Sequence, residues 1–271
     1  MSPLWRDEIG VHLTPRKLHM IRMKRGVKPA LVAEQEEAFT PSQANDWTPA
    51  LQVLERMLAQ PEWRGALLRV VAADSWARYA IVPWVAELSS TEERVAHARQ
   101  MLAGAYGDAV SDWEVRLSEV PPGSPRVACT IPRALLESLR AVCNSQNVRL
   151  ASLQPQLVCA YENWRHRLPA AGGWFVSVEE TTLAAARIGR DGWDRVYSVR
   201  IGSDWPRELK RLQTFGRLVN TSSDEGQVFV DAPQAWREVA GAAGQDLQWL
   251  EEESGPQTTL QRLARARRLA A

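Results

Sequence analysis

Cysteine is scarce in this 271-residue chain: there are three, Cys129, Cys143 and Cys159, widely separated, with no CxxC pair and no histidine cluster beside them. That argues against a disulfide framework or a structural zinc site, and buried thiols are expected. No apolar run approaches the roughly 20 residues that a bilayer-spanning helix needs. The opening MSPLWRDEIG lacks the basic-then-apolar layout of a secretory signal, so a cytoplasmic protein is expected. Net charge is missing too, with 33 Lys and Arg against 32 Asp and Glu, a formal +1. A general nucleic-acid binder normally carries a basic surface, and none is signalled here. GxxxxGK[ST], GxGxxG and GxSxG elements do not occur, and His12, His19, His97 and His166 have no neighbouring nucleophile motif.

What is present is ordinary soluble composition, 45% hydrophobic, at a length that suits one large or two coupled domains. Tryptophan is abundant, 12 residues against 4 Phe and 4 Tyr. Trp76, Trp84, Trp164 and Trp174 sit in apolar stretches and are expected to pack in a core. Trp47, Trp193 and Trp205 lie beside turn residues and are candidate exposed anchors.

Along the chain, 9–13 and 17–23 flank Thr14-Pro15-Arg16 and read as a β-hairpin, with a third antiparallel strand within 28–37. Asp46 is placed to cap a helix over 48–58. Two β-rich runs, 67–73 and 79–82, read as another hairpin. Ser90 with Glu93 forms a capping box for a helix over 91–105 ended by Gly107. Strands at 113–117 and 126–131, a helix over 132–144, a strand at 148–153 and a helix over 156–168 follow. Pro169-Ala-Ala-Gly-Gly173 is the candidate domain boundary. After it come strands at 174–178, 182–188 and 195–201, a helix over 206–218 and a strand at 227–230. Three meandering strands, a helix and a strand thus occur twice, at 9–73 and at 174–230.

A duplicated βββαβα unit is the two-lobe α/β architecture of the actin, Hsp70 and sugar-kinase superfamily. Within it, IGVHLTPRKLHMIRMKRG (9–26), NVRLASLQPQLVCAYENW (147–164) and WFVSVEETTLAAARIGRDGW (174–193) resemble PilM-type actin-like proteins of type IV pilus assembly. The cytoplasmic region of the related type II secretion L protein is similar. The resemblance implies a first lobe over 1–168 with an inserted subdomain and linking helix, a shorter second lobe over 169–254, and a basic tail over 255–271.

It also implies where nucleotide would bind, at one hairpin turn per lobe, each with an acidic residue and a glycine in the active members. Here the first acidic position falls at His12 and the glycine at Thr14, with Pro15 removing an amide donor. In the second lobe they fall at Ser177 and Glu179, followed by Glu180. Carboxylates where phosphate oxygens sit would repel a nucleotide, and the separated Gly241 and Gly244 do not supply an adenine-side turn. ATP hydrolysis is therefore not expected, although weak nucleotide binding stays open. The acidic pairs Asp108 with Asp112 and Glu179 with Glu180 read as solvated turn residues.

By the same resemblance, the chain is expected to be a non-catalytic scaffold peripheral to the inner membrane. Its expected partner is a PilN-type bitopic membrane protein, bound through that protein's cytoplasmic N-terminus; an active actin-like ATPase or sugar-kinase relative is the alternative, and self-association is left open. Arg262, Arg265, Arg267 and Arg268, after acidic Glu251-Glu252-Glu253, form a candidate contact for anionic lipid or an acidic partner.

Overall fold

The computed structural model describes residues 6–24, 30–43, 46–170, 172–202, 204–219, 226–241 and 247–250, with the side chains of 215–219 and 239–241 excepted. In chain order the elements are β1 (Glu8–Leu13), β2 (Lys17–Lys24), β3 (Ala30–Ala38), α1 (Thr48–Leu58), β4 (Leu67–Ala72), β5 (Arg78–Val82), α2 (Thr91–Tyr106), β6 (Trp113–Leu117), β7 (Arg126–Pro132) and α3 (Arg133–Ser145). They continue with β8 (Arg149–Pro155), α4 (Gln156–Trp164), β9 (Gly173–Val178), β10 (Thr182–Gly189), β11 (Gly192–Arg200), α5 (Trp205–Val219), β12 (Gln227–Asp231), α6 (Gln234–Gly241) and β13 (Leu247–Trp249).

The described residues form two compact units. One joins those up to Trp76 with Arg133–Asn163, and the other joins Ala77–Pro132 with those from Trp164 onward. Within the described residues the chain therefore changes unit at three points, whereas the sequence suggested a break at 169–173 after a first lobe that carries an inserted subdomain.

In the first unit a five-stranded sheet runs β3-β2-β1-β4-β8. β1 meets β2 antiparallel and β4 parallel, and β4 meets β8 parallel. Alternation decides the packing: Ile9, Val11 and Leu13 of β1, with Leu18 and Met20 of β2, form one cluster with Leu54, Met57 and Leu58 of α1 and Leu135 and Leu139 of α3. Each such aliphatic contributes about 1.5–3 kcal/mol on burial, so this face fixes the register of the sheet. The opposite face carries Ile21 and Val71 against Cys159 of α4.

In the second unit the sheet runs β11-β10-β9-β12-β13, the same order. Trp174, Val176 and Val178 of β9 share a core with Leu183 and Ala185 of β10, Val228 and Val230 of β12, and Trp205 and Leu209 of α5. A third sheet, β5-β7-β6, is backed by Ala98 and Leu102 of α2 and packs against β11.

The hairpin read from 67–73 and 79–82 is thus corrected: β4 lies between two parallel neighbours, and β5 pairs antiparallel with β7 in another sheet. The connection Asp74–Trp76 is a 3-10 turn with Asp74 and Trp76 buried, and it has no glycine for the positive φ that tight hairpins favour. The capping box on α2 is present, with Glu93 N donating to Ser90 Oγ at 3.1 Å and Ser90 N to Glu93 Oε2 at 2.9 Å. Asp46 Oδ1 accepts the Thr48 amide at 2.9 Å at the start of α1.

Of the tryptophans read as exposed anchors, Trp193 and Trp205 are buried and Trp47 packs half-buried on the first core. An indole is large enough to close a sheet's end, which proximity to turn residues does not reveal. Trp76, Trp164 and Trp174 are buried as expected, while Trp84 is only half-buried.

Candidate functional site

Parallel pairing lines up the carboxyl ends of strands, and in each unit polar residues collect there. In the first unit Leu13 lies opposite Ala72, and Ala72 opposite Pro155. The turn after β1, the residues after β4 and the start of α4 therefore share one end of the sheet. Thr14, Asp74 and Gln156 are all buried at this end.

The first turn is closed on itself. Thr14 N donates to the Lys17 carbonyl at 3.0 Å. Thr14 Oγ1 accepts the Lys17 amide at 3.0 Å and the Arg16 amide at 3.4 Å, and donates to the Lys17 carbonyl at 2.9 Å. Pro15 has no amide hydrogen. A loop that cradles phosphate presents successive backbone N–H groups, and here those of residues 14, 16 and 17 are engaged within the turn while residue 15 has none. His12 pairs directly with His19, so both lie on the face away from the main core, and His19 Nε2 meets Glu34 Oε1 at 2.8 Å.

Asp74 is 1% exposed, and its Oδ1 accepts the Leu157 amide at 3.1 Å, placing a carboxylate at the amino end of α4. The sequence reads Asp74-Ser75 only as the turn of a hairpin. The signal was available: a carboxylate two residues after the largely apolar strand β4, LLRVVA, stands where α/β sheets carry their polar groups.

The second unit repeats the geometry. Glu179 N donates to the Thr182 carbonyl at 2.8 Å, the counterpart of the Thr14 to Lys17 bond. Asp231 at the end of β12 lies opposite Ser177 of β9. Ser177, Glu179, Thr182 and Asp231 are all buried, and the Ser177 Oγ has no hydrogen-bond partner among the described residues. Glu180 is exposed, so the two acidic residues of this turn differ, and Glu179 is corrected from a solvated turn residue to a buried one. A single turn aims consecutive side chains in different directions, which composition alone does not reveal.

The first turn engages its own amides, and the second holds a buried carboxylate, Glu179, with Asp231 at the end of the neighbouring strand. Among the described residues no cluster of three or more His, Cys, Asp or Glu could hold a metal ion. Asp108 and Asp112 are exposed. Burial pushes the Cys143 thiol up to about 11, which makes it a poor nucleophile near neutrality. Gly244 and the four tail arginines, Arg262, Arg265, Arg267 and Arg268, lie outside the described residues.

No protein-family model and no curated protein matches the chain. Solved structures do resemble it. The cytoplasmic domain of EpsL, an inner-membrane component of the type II secretion system of Vibrio cholerae, superposes with a TM-score of 0.60 at 10% identity over 98% of this chain and 95% of that one. A Bacteroides thetaiotaomicron protein of actin-like ATPase fold and unknown function gives 0.61 at 12% identity over 96% of each. The PilM-PilN type IV pilus biogenesis complex gives 0.65 at 12% identity over 90% of this chain and 88% of that one. The chain has the actin-like fold, and the resemblance read from its sequence holds at the level of fold.

Proposed function

We propose that the chain is a non-catalytic scaffold of an inner-membrane assembly platform of the type IV pilus or type II secretion kind, working on the cytoplasmic face. The observation that carries this reading is the pair of closed turns: an amide-poor loop at Thr14–Lys17 and a buried carboxylate at Glu179. An actin-like fold whose phosphate loops are occupied by its own side chains retains two lobes and a linking helix, which is what a binding platform needs. Further support comes from the near full-length likeness to a secretion component and to a pilus complex. No helix among the described residues is long and apolar enough to cross a membrane.

The partner this reading implies is a PilN-type protein with one membrane span and a short cytoplasmic N-terminus. The basic tail is an auxiliary contact to anionic lipid in the same reading.

Two measurements test it. Phosphate release from Mg²⁺-ATP by the purified chain is expected to equal that of a no-enzyme control, and a clear excess establishes the alternative, an active ATPase. Co-expression with a single-span candidate partner is expected to yield a complex that is lost when the partner's cytoplasmic N-terminus is deleted. A complex that survives the deletion shows the binding mode to be wrong.

A further inference from the structure

Trp84, on the stretch between β5 and α2, lies under two guanidinium groups that reach it from different elements. Arg94 comes from the first turns of α2, its Cζ 5.4 Å from the ring centroid, and Arg126 from the start of β7, at 5.8 Å. Arg126 donates through its terminal nitrogens to the carbonyls of Ser118 at 2.9 Å and Val120 at 3.4 Å. Among the described residues the side chain of Arg94 has no hydrogen-bond or ion-pair partner. Both Nε atoms are shielded from solvent without a partner.

Carboxylates near in sequence do not answer these charges. Glu93 is turned into the capping box, accepting the amides of Ser89 at 2.8 Å and Ser90 at 2.9 Å. Glu87, Glu92 and Glu119 are exposed, and none pairs with either arginine. An indole face attracts a cation, but two cations on one ring repel each other, and half-burial strips both of water that would screen them. The arrangement is balanced when an anion arrives from outside.

We propose that Arg94 and Arg126, stacked on Trp84, dock a carboxylate from an acidic, extended segment of a protein partner. Arg94 carries the recognition: its guanidinium lies over the indole, its terminal nitrogens have no partner among the described residues, and a planar carboxylate takes two parallel N–H bonds from such a fork. A lipid surface is served instead by fully exposed, protruding cations, and both arginines here are half-buried. The site stands independently of the platform reading.

The test uses the full chain and a fluorescent glutamate-rich peptide followed by anisotropy at low salt. Vesicles containing anionic lipid and inorganic phosphate serve as competing probes. Saturable binding is expected, with Arg94→Gln weakening it about tenfold. Arg94→Gln removes one guanidinium from the Trp84 ring but no hydrogen bond among the described residues, so a folded variant is expected, checked by circular dichroism at the assay temperature. The control Arg207→Gln/Arg211→Gln, on exposed positions of α5, is expected to leave binding unchanged. No binding by the parent chain, or equal binding by Arg94→Gln, overturns the proposal. So does a site that takes anionic vesicles but not the peptide, or one that phosphate empties as readily as the peptide fills it.

Discussion

Thr14 shows how one hydroxyl can change what a turn is for. Glycine there would offer the Arg16 and Lys17 amides no side-chain acceptor; the threonine Oγ1 takes both from within. The sequence carried this plainly, since both the threonine and the following proline are visible in LTPRK. Burial was not visible: Glu179 and Glu180 read alike, yet only one is enclosed. Gly226 is the opposite case, where only glycine fits. Its φ is +52°, and a Cβ there would clash with the Gly172 carbonyl oxygen, a backbone atom that cannot swing aside. Gly226→Ala is therefore expected to lower unfolding free energy by about 3 kcal/mol or more, combining positive-φ strain with a displaced backbone, as read from urea denaturation.

At the scale of elements, α2 owes its start to Ser90 and Glu93. Ser90→Ala is expected to lower stability by about 1 kcal/mol, again in urea. The amides of Ser90 and Ser89 hold the Glu93 carboxyl below its ordinary range. Its contribution is therefore present above the unfolded carboxylate pKa and lost as pH falls through the lower folded value. A Glu93→Gln variant should differ from the parent near neutrality and converge with it in acid, and a constant gap across that range would assign the effect to something other than charge.

Helices and hairpins of this kind were legible because their signals are local: a capping box, a proline, an alternating run. The β4 to β5 connection was not, because parallel neighbours far away in sequence decide it. Asp74 was missed for the same reason, since its partner is the Leu157 amide, 83 residues on.

For the whole molecule, the duplication was readable because strand order repeats, and it reappears as β3-β2-β1-β4-β8 and β11-β10-β9-β12-β13. What the pattern could not disclose is which unit receives 77–132, because that depends on β5 and β7 packing against β11. A chain ending at Leu168 keeps every strand of the first sheet but lacks β11. Hydrogen exchange is expected to show β1 and β4 amides protected as in the full chain, with β5 amides exchanging faster. Equal protection of β5 in both would mean that its own sheet and α2 suffice.

The same packing sets a clock on biosynthesis. β5 leaves the ribosome more than a hundred residues ahead of β11, a delay of the order of ten seconds at usual elongation rates. During that interval the nascent β5-β7-β6 sheet has α2 on one side and no final neighbour on the other. The capping box and the Trp84 stack, both complete by Arg126, are then the local contacts available to hold it, which gives the sequence between Val82 and Arg126 a part in folding as well as in the finished fold.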